Sequence, residues 1–240
     1  MNILLTGASR GVGLEICKVL LSQNHNVYAV SRTHSKEISA LEVTHKNLFF
    51  KSVDLGDSAS AKSAVFADDF VSNNIPLGGF VNNAAQAYDD IITNMSVDKL
   101  KAMFDVNVFT PMLLTKYVIR NMIYNKLGGS IVHISSISAH TGYKGLAMYA
   151  SSKGAIEAFS KNTAREWGVK GVRSNVVVPG FMETAMSASL SDEQKDKIYK
   201  RTSLKKATDV KSVAETVAFL VSEKSASVTG QNIHVDSGTI

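Results

Sequence analysis

Short apolar runs rich in β-branched residues recur along the chain at 2–6, 26–30, 48–53, 77–82, 130–135, 173–178 and 231–235. Between them lie longer stretches whose apolar positions fall three and four apart, at 12–21, 59–71, 97–124, 149–167 and 210–220. The first kind of pattern predicts strands and the second predicts helices. Strands alternating with helices predict an α/β fold with a parallel sheet, and the nearly continuous apolar runs fit a sheet covered on both faces. Right-handed crossovers then build a doubly wound sheet of about seven strands, with ligands at the carboxyl ends of the strands. One segment breaks the alternation. Residues 181–206 follow Pro179-Gly180, are polar and Met-containing, and carry Ser191-Asp192-Glu193-Gln194-Lys195-Asp196-Lys197. They read as short helices forming a flap, either a solvated loop or a lid over a substrate. With no repeat, low-complexity tract or linker in the sequence, residues 1–240 read as a single domain.

Composition narrows the class. The chain has 240 residues, 45% hydrophobic and 20% charged, with three prolines, which excludes a disordered or collagen-like chain. No apolar stretch approaches the ~20 residues a membrane span needs. The opening Met1-Asn2-Ile3-Leu4-Leu5-Thr6-Gly7 has no basic head before a long apolar run, so no secretory leader is expected. The one cysteine, Cys17, excludes an internal disulfide and reads as a small core residue, fitting a reducing compartment. A cytoplasmic location is the expectation. The net charge of +5 comes from lysines spread over the whole chain, without the dense basic block of a nucleic-acid surface. The six histidines (25, 34, 45, 133, 140 and 234) lack ligand spacing, so no catalytic metal is expected.

The first strand runs directly into Thr6-Gly7-Ala8-Ser9-Arg10-Gly11-Val12-Gly13, and a helix follows. Glycines at these three places permit a tight turn, close approach of backbone to a pyrophosphate and close helix–strand packing. The helix N-terminus offers unpaired N–H groups and partial positive charge to the phosphates. Gly7, Ser9, Arg10, Gly11, Val12 and Gly13 are therefore candidate dinucleotide-binding positions. An acid holding the adenosine ribose 2′-OH would stand about 20 residues further on. The second strand instead ends Ser31-Arg32-Thr33, with no acid before Glu37. Arg10 or Arg32 alone would read as an ordinary surface residue. Two arginines at the two relevant places, with the acid missing, favour NADP over NAD.

Tyr149 and Lys153 stand four apart at the start of a predicted helix and share one face. A free phenol titrates near ~10 and is a poor acid–base group at neutral pH. A neighbouring ammonium, helped by the positive charge of an oxidised nicotinamide, is expected to lower that value. Ser136 stands at the end of the strand 130–135, thirteen residues before Tyr149. Its hydroxyl is placed to donate to a substrate carbonyl oxygen as negative charge develops.

Taken together these features resemble the short-chain dehydrogenase/reductase family over essentially the whole chain. The matching motifs are Thr6–Gly13, Asp54-Leu55, Asn82-Asn83-Ala84-Ala85, Asn107, Ser136, Tyr149 with Lys153, and Pro179-Gly180 with Thr184. The resemblance implies a Rossmann-type domain, with Asp54 and Leu55 at the adenine and Asn82 and Ala84 beside the adenosine ribose. Pro179, Gly180 and Thr184 would flank the nicotinamide, Thr184 at its carboxamide. Asn107 would kink its helix and hold a water linking Lys153 to solvent. Lys153 would bind the nicotinamide ribose, Tyr149 would contact the cofactor and donate the proton, and Ser136 would anchor the carbonyl. The implied reaction is reduction of a ketone by NADPH.

Within the family the segments 179–186 and 228–236 are most similar to 3-oxoacyl-acyl-carrier-protein reductases. These segments mark a subgroup and not a substrate; the resemblance implies a 3-oxoacyl thioester or a similar β-keto compound, with an acyl carrier protein as a candidate presenter. The rival readings are another carbonyl or alcohol substrate and a catalytically silent nucleotide-binding scaffold. Leu127 and Lys170, with Lys126 adjacent, stand where those reductases carry two carrier-docking arginines, so one of the two charges is lost or displaced. His140 and Tyr143 follow Ser136 closely and are candidates for the substrate pocket, as are Met182 and Met186 in the flap. The helices 97–124 and from Tyr149 onward are where relatives dimerise, so the resemblance implies a homotetramer or homodimer.

Overall fold

The structure, a computed structural model, describes residues 1–183 and 191–240. Its strands are β1 (Asn2–Thr6), β2 (Asn26–Ser31), β3 (Leu48–Ser52), β4 (Leu77–Asn82), β5 (Gly129–Ile134), β6 (Val172–Pro179) and β7 (Asn232–Val235). They form one seven-stranded sheet in the order β3-β2-β1-β4-β5-β6-β7, every neighbouring pair parallel. The helices are α1 (Gly11–Ser22), α2 (Lys36–Thr44), α3 (Ser58–Val65), α4 (Val97–Phe104), α5 (Thr110–Tyr124), α6 (Ala147–Trp167), α7 (Asp192–Tyr199) and α8 (Val210–Val221). The doubly wound α/β architecture expected from the alternating pattern is the one observed.

Burial explains the continuous apolar runs. On β1, Ile3, Leu4, Leu5 and Thr6 are all 0% exposed, because each face of the strand has its own cover. Ile3 and Leu5 pack with Ile16 and Leu20 of α1 and Val217 and Leu220 of α8. Leu4 points the other way, into a layer with Phe80, Ile131 and Leu114, Val118 and Met122 of α5. Each such aliphatic side chain contributes roughly 1.5–3 kcal/mol on burial, so the two layers fix the strand from both sides.

Three elements differ from the reading of the sequence. Helix α3 ends at Val65, not at residue 71. The chain turns there, Val71 N donating to Val65 O at 3.2 Å, and Phe70 and Val71 are apolar because they close the core. Helix α2 escaped detection because Ile38 is its only buried residue, leaving no apolar stripe; its visible signal is the Ser35 cap, whose hydroxyl accepts from Ile38 N at 3.3 Å. The helical stretch 97–124 is divided by a π-helical turn at Asp105–Phe109. Among the described residues no helix is long and apolar enough to cross a membrane.

The strand order reverses direction between β1 and β4, which opens a crevice at their carboxyl ends. Helix α7 lies in the segment that follows β6. A capping box of Ser191 and Gln194 starts it, and the Tyr199 hydroxyl donates to Glu183 near the segment's beginning. The segment's far end is pinned to the C-terminus, Ser203 N donating to Gly238 O at 2.8 Å.

Candidate active site

The crevice is walled on one side by the glycine turn. Gly7 and Gly11 adopt φ of +73° and +55°, values that side chains other than glycine rarely take. A Cβ on Gly7 would sit 2.8 Å from Ala84 Cα, so only glycine lets the β1 turn meet the loop after β4. That meeting is stitched by hydrogen bonds. Thr6 Oγ1 accepts from Asn83 N and Ala84 N, both at 3.1 Å, and donates to Asn82 Oδ1 at 3.4 Å. Asn83 Nδ2 donates in return to Thr6 O at 3.1 Å and Gly7 O at 3.0 Å.

Helix α1 opens on this turn. Its N-cap, Arg10, is extended and makes no side-chain cap, and its first turn holds no acid, whereas Ser35, Asp57, Ser96, Ser191 and Asp209 cap α2, α3, α4, α7 and α8. A Cβ on Gly11 would meet nothing within 4 Å. An uncapped helix start facing open space is a place for an anion, and it fits a dinucleotide pyrophosphate. Ser9 and Val12 lie on the same turn, partly buried.

The other dinucleotide candidates line the same sheet edge. Arg10 and Arg32 are both exposed. Asp54 is exposed after β3, its Oδ1 accepting from Gly56 N at 2.9 Å, and buried Leu55 gives its carbonyl to Thr110 Oγ1 at 2.8 Å. Asn82 is buried, its amide 3.2 Å from His133 Nδ1. Pro179 ends β6, and a Cβ on Gly180 would lie 2.7 Å from Asp236 Cα. Thr184 and Met186 lie outside the described residues.

Across the crevice lies Lys153, buried. Its Nζ donates to Ile134 O, the last residue of β5, at 2.8 Å and lies 5.5 Å from the centre of the Tyr149 ring. Ser136 comes two residues after β5, not at its end as expected, and starts a short 3₁₀ turn. Ser138 N and Ser138 Oγ donate to Ser136 Oγ at 3.2 and 3.0 Å. With its oxygen accepting twice, the Ser136 proton is left to point elsewhere.

The phenol's titration differs from expectation. Burial, with the Asp89 carboxylate facing it, pushes Tyr149 up to about 12 instead of lowering it. Burial also pulls Lys153 down to about 8, against the opposing pull of Glu157. The expected acidification counted the ammonium together with the positive charge of an oxidised nicotinamide, whereas these shifts arise from the protein's own groups. In the fold the ammonium is spent partly on Ile134 O, and both groups are desolvated.

Asn107 sits in the π turn, buried. Its Oδ1 accepts from Gln86 N at 2.8 Å, and its Nδ2 donates to Gln86 O at 2.9 Å and Ser152 Oγ at 3.0 Å. Ser152 Oγ then donates to Tyr149 O at 2.7 Å, which joins the π turn to the helix of the tyrosine. A cleft of about 310 Å³ opens beside the first turn of α6, with Asp90, Ile91, Ile92, Tyr143 and Ala147 in its walls. Of the substrate-pocket candidates, Tyr143 is in this wall. His140 is not in that wall: its ring lies 3.0 Å from Glu157 and 4.7 Å from the His234 ring. Met182 packs against the apolar layer of α1 and α8. Asn83, Asp89, Ser138, Ser152 and Glu157 went unnoticed as site residues; a serine two positions after Ser136 and an asparagine beside Asn82 were the available signals.

Comparison with known proteins agrees with this geometry. A family model described as Enoyl-(Acyl carrier protein) reductase matches residues 7–239. Carbonyl reductase (NADPH) 2 of Sus scrofa is 33% identical over 240 residues, covering 99% of this chain and 96% of the relative. The 3-oxoacyl-acyl-carrier-protein reductase FabG of Escherichia coli K12 is 33% identical over 238 residues, covering 98% and 95%. Among solved structures, a short chain dehydrogenase/reductase family protein superposes with a TM-score of 0.88 at 28% identity, covering 99% and 96%. The fold of a 4-hydroxyisoleucine dehydrogenase complexed with NADH matches with a TM-score of 0.93 at 23% identity, covering 99% and 98%. A glycine turn on an uncapped helix, a tyrosine and lysine one turn apart, and these full-length likenesses place the chain in the short-chain dehydrogenase/reductase family, as an oxidoreductase that uses a nicotinamide dinucleotide.

Proposed function

We propose that the chain reduces a ketone to a secondary alcohol with NADPH, its substrate being a 3-oxoacyl thioester presented by an acyl carrier protein. The observation that carries this reading is the position of one ammonium. Lys153 Nζ donates to Ile134 O, two residues before Ser136, and lies 5.5 Å from the centre of the Tyr149 ring, which supports a shared role for the three residues in ketone reduction. The names of the relatives from Escherichia coli and Sus scrofa support the substrate class and the cofactor. When bound, the dinucleotide supplies the hydride.

Ser136 donates its free proton to the carbonyl oxygen and so stabilises the charge that grows there. Tyr149 Oη then delivers the proton that completes the alcohol. A phenol held at about 12 is fully protonated at neutral pH, which suits the reductive direction. Lys153 keeps an ammonium beside the phenolate that remains. Because Lys153 titrates at about 8, its charge is lost as pH rises through that value. Reductive kcat/KM is therefore expected to fall above pH of about 8, as initial rates from pH 6 to 10 would measure. Gly7 to Gly13 and the start of α1 hold the pyrophosphate, Asp54 and Leu55 the adenine, Asn82 and Ala84 the adjoining ribose, and Pro179 and Gly180 the nicotinamide. Lys126 and Lys170 are exposed on neighbouring loops, joined by Gly129 N donating to Gly171 O at 3.1 Å, and offer positive charge to an acidic carrier. The chain associates with copies of itself through α5 and α6; Phe109, just before α5, and Tyr124, at its end, are 53% and 68% exposed.

The direct test is oxidation of NADPH and NADH with acetoacetyl thioesters and with unrelated ketones. Turnover of the thioesters with NADPH is expected; preference for NADH overturns the cofactor assignment, and indifference to the thioesters overturns the substrate. Arg32→Asp separates the cofactors further. Loss of a charge-assisted contact to the 2′-phosphate should raise KM for NADPH about tenfold or more and leave that for NADH within about twofold. Equal effects on both would show that Arg32 is ordinary surface.

A further inference from the structure

One carboxylate near the site has no part in the chemistry above. Glu157 lies two turns along α6 from Tyr149 and one turn from Lys153, on the same face, with its side chain only 11% exposed. Buried carboxylates demand partners, and Glu157 has three. Ser135 Oγ donates to it from the end of β5. Asn232 Nδ2 donates from β7 at 2.8 Å. His140 Nε2 lies 3.0 Å away on the loop after Ser136 and must carry the proton, since a carboxylate only accepts. Two of these three donors bracket Ser136, one residue before it and four after.

Building on the ketone reduction proposed above, we propose that Glu157 is a positioning residue for that reaction. Its carboxylate clamps the strand end and loop that carry Ser136 onto the helix that carries Tyr149, and its charge holds Lys153 as an ammonium. The clamp sets the distance between the carbonyl anchor and the proton donor, which sit on different elements that the Lys153 contact to Ile134 O and the edge-on His133–Phe159 ring pair also join. The charge acts in a crowded setting. Lys153 is faced by Tyr149 and Glu157 from α6 and by His133 from β5, and Asp89 from the loop after β4 faces Tyr149. Among these Glu157 is the group that raises Lys153 against its burial. On its other side Glu157 is faced by His140, and through that ring by His234 of β7.

The two roles separate by substitution. Glu157→Gln removes the charge and one of the acceptors, so kcat for ketone reduction should fall about fivefold or more, and the alkaline limb of the pH–rate profile should move to lower pH by about half a unit or more. Glu157→Asp keeps the charge but retracts it, so kcat should fall while the limb stays near its wild-type position. A merely structural residue would lower Tm in both variants and leave the limb in place in both; that result overturns the proposal. Should Glu157→Gln fail to fold, Glu157→Asp and Asn232→Ala carry the test, and wild-type kcat in both overturns the clamp. A wild-type protein that reduces no ketone would instead refute the function, whatever the variants do.

Discussion

Tyr149→Phe is expected to reduce turnover of the ketone substrate by at least about 10²-fold, and by up to about 10⁴-fold, the range a positioned proton donor contributes. The loss should appear in kcat, with KM for NADPH changed little, because the substitution removes one oxygen and leaves the ring. That ring packs against Tyr88, Met103 and Met148, an apolar cluster that Phe fills equally well. Stability should therefore stay within about 0.5 kcal/mol of wild type. Steady-state kinetics beside a thermal melt measure both. The comparison also decides between an enzyme and a silent nucleotide-binding scaffold: a chain whose activity does not depend on this hydroxyl does not use it as acid.

Gly13→Ala should have the largest effect on the fold. The added methyl would overlap Gly7 O and the Asn83 amide and lie 2.8 Å from Gly7 C, and two of those three atoms are backbone. Backbone cannot rotate aside, so α1 must lift from the β1 turn. Overpacking of this kind costs about 3 kcal/mol or more, a fall in Tm of about 6–12 °C for a chain of this size. Gly11→Ala is the contrast. Its methyl meets nothing within 4 Å, so only the left-handed backbone at φ +55° is strained, at about 1–2 kcal/mol. Under the proposed binding of the pyrophosphate at the start of α1, that methyl would occupy space the phosphates need, so Gly11→Ala should weaken dinucleotide binding far more than it lowers Tm. Melts and cofactor titrations of the two variants would reveal the inversion; equal melts in both would refute the packing account.

What could be read from the residues alone was whatever the chain repeats locally. The glycine turn is a run of eight residues, and Tyr149 with Lys153 spans one helical turn; short-range geometry fixes both. The sheet was legible because its central strands are covered on two faces and run through apolar residues, as Ile3, Leu4 and Leu5 of β1 illustrate, while the edge strands β3 and β7 are only partly buried. The features that escaped are made by partners far apart in sequence. Thr6 finds Asn83 across 77 residues, and His140 finds Glu157 across 17. The titration of Tyr149 depends on Asp89, which arrives from the loop after β4, and on desolvation that exists only once the core closes. Helix α2 escaped for the opposite reason: with one buried residue it carries almost no hydrophobic signal and is held by its cap.

The Thr6 hydroxyl has a consequence for how the crevice is used. By accepting from two amides of the β4 loop and donating to Asn82, it welds the two central strands together at the point where they would have to part. One wall of the crevice is therefore tied together by a single threonine hydroxyl, and a substitution that removes it would leave two loop amides and the Asn82 side chain without their shared partner.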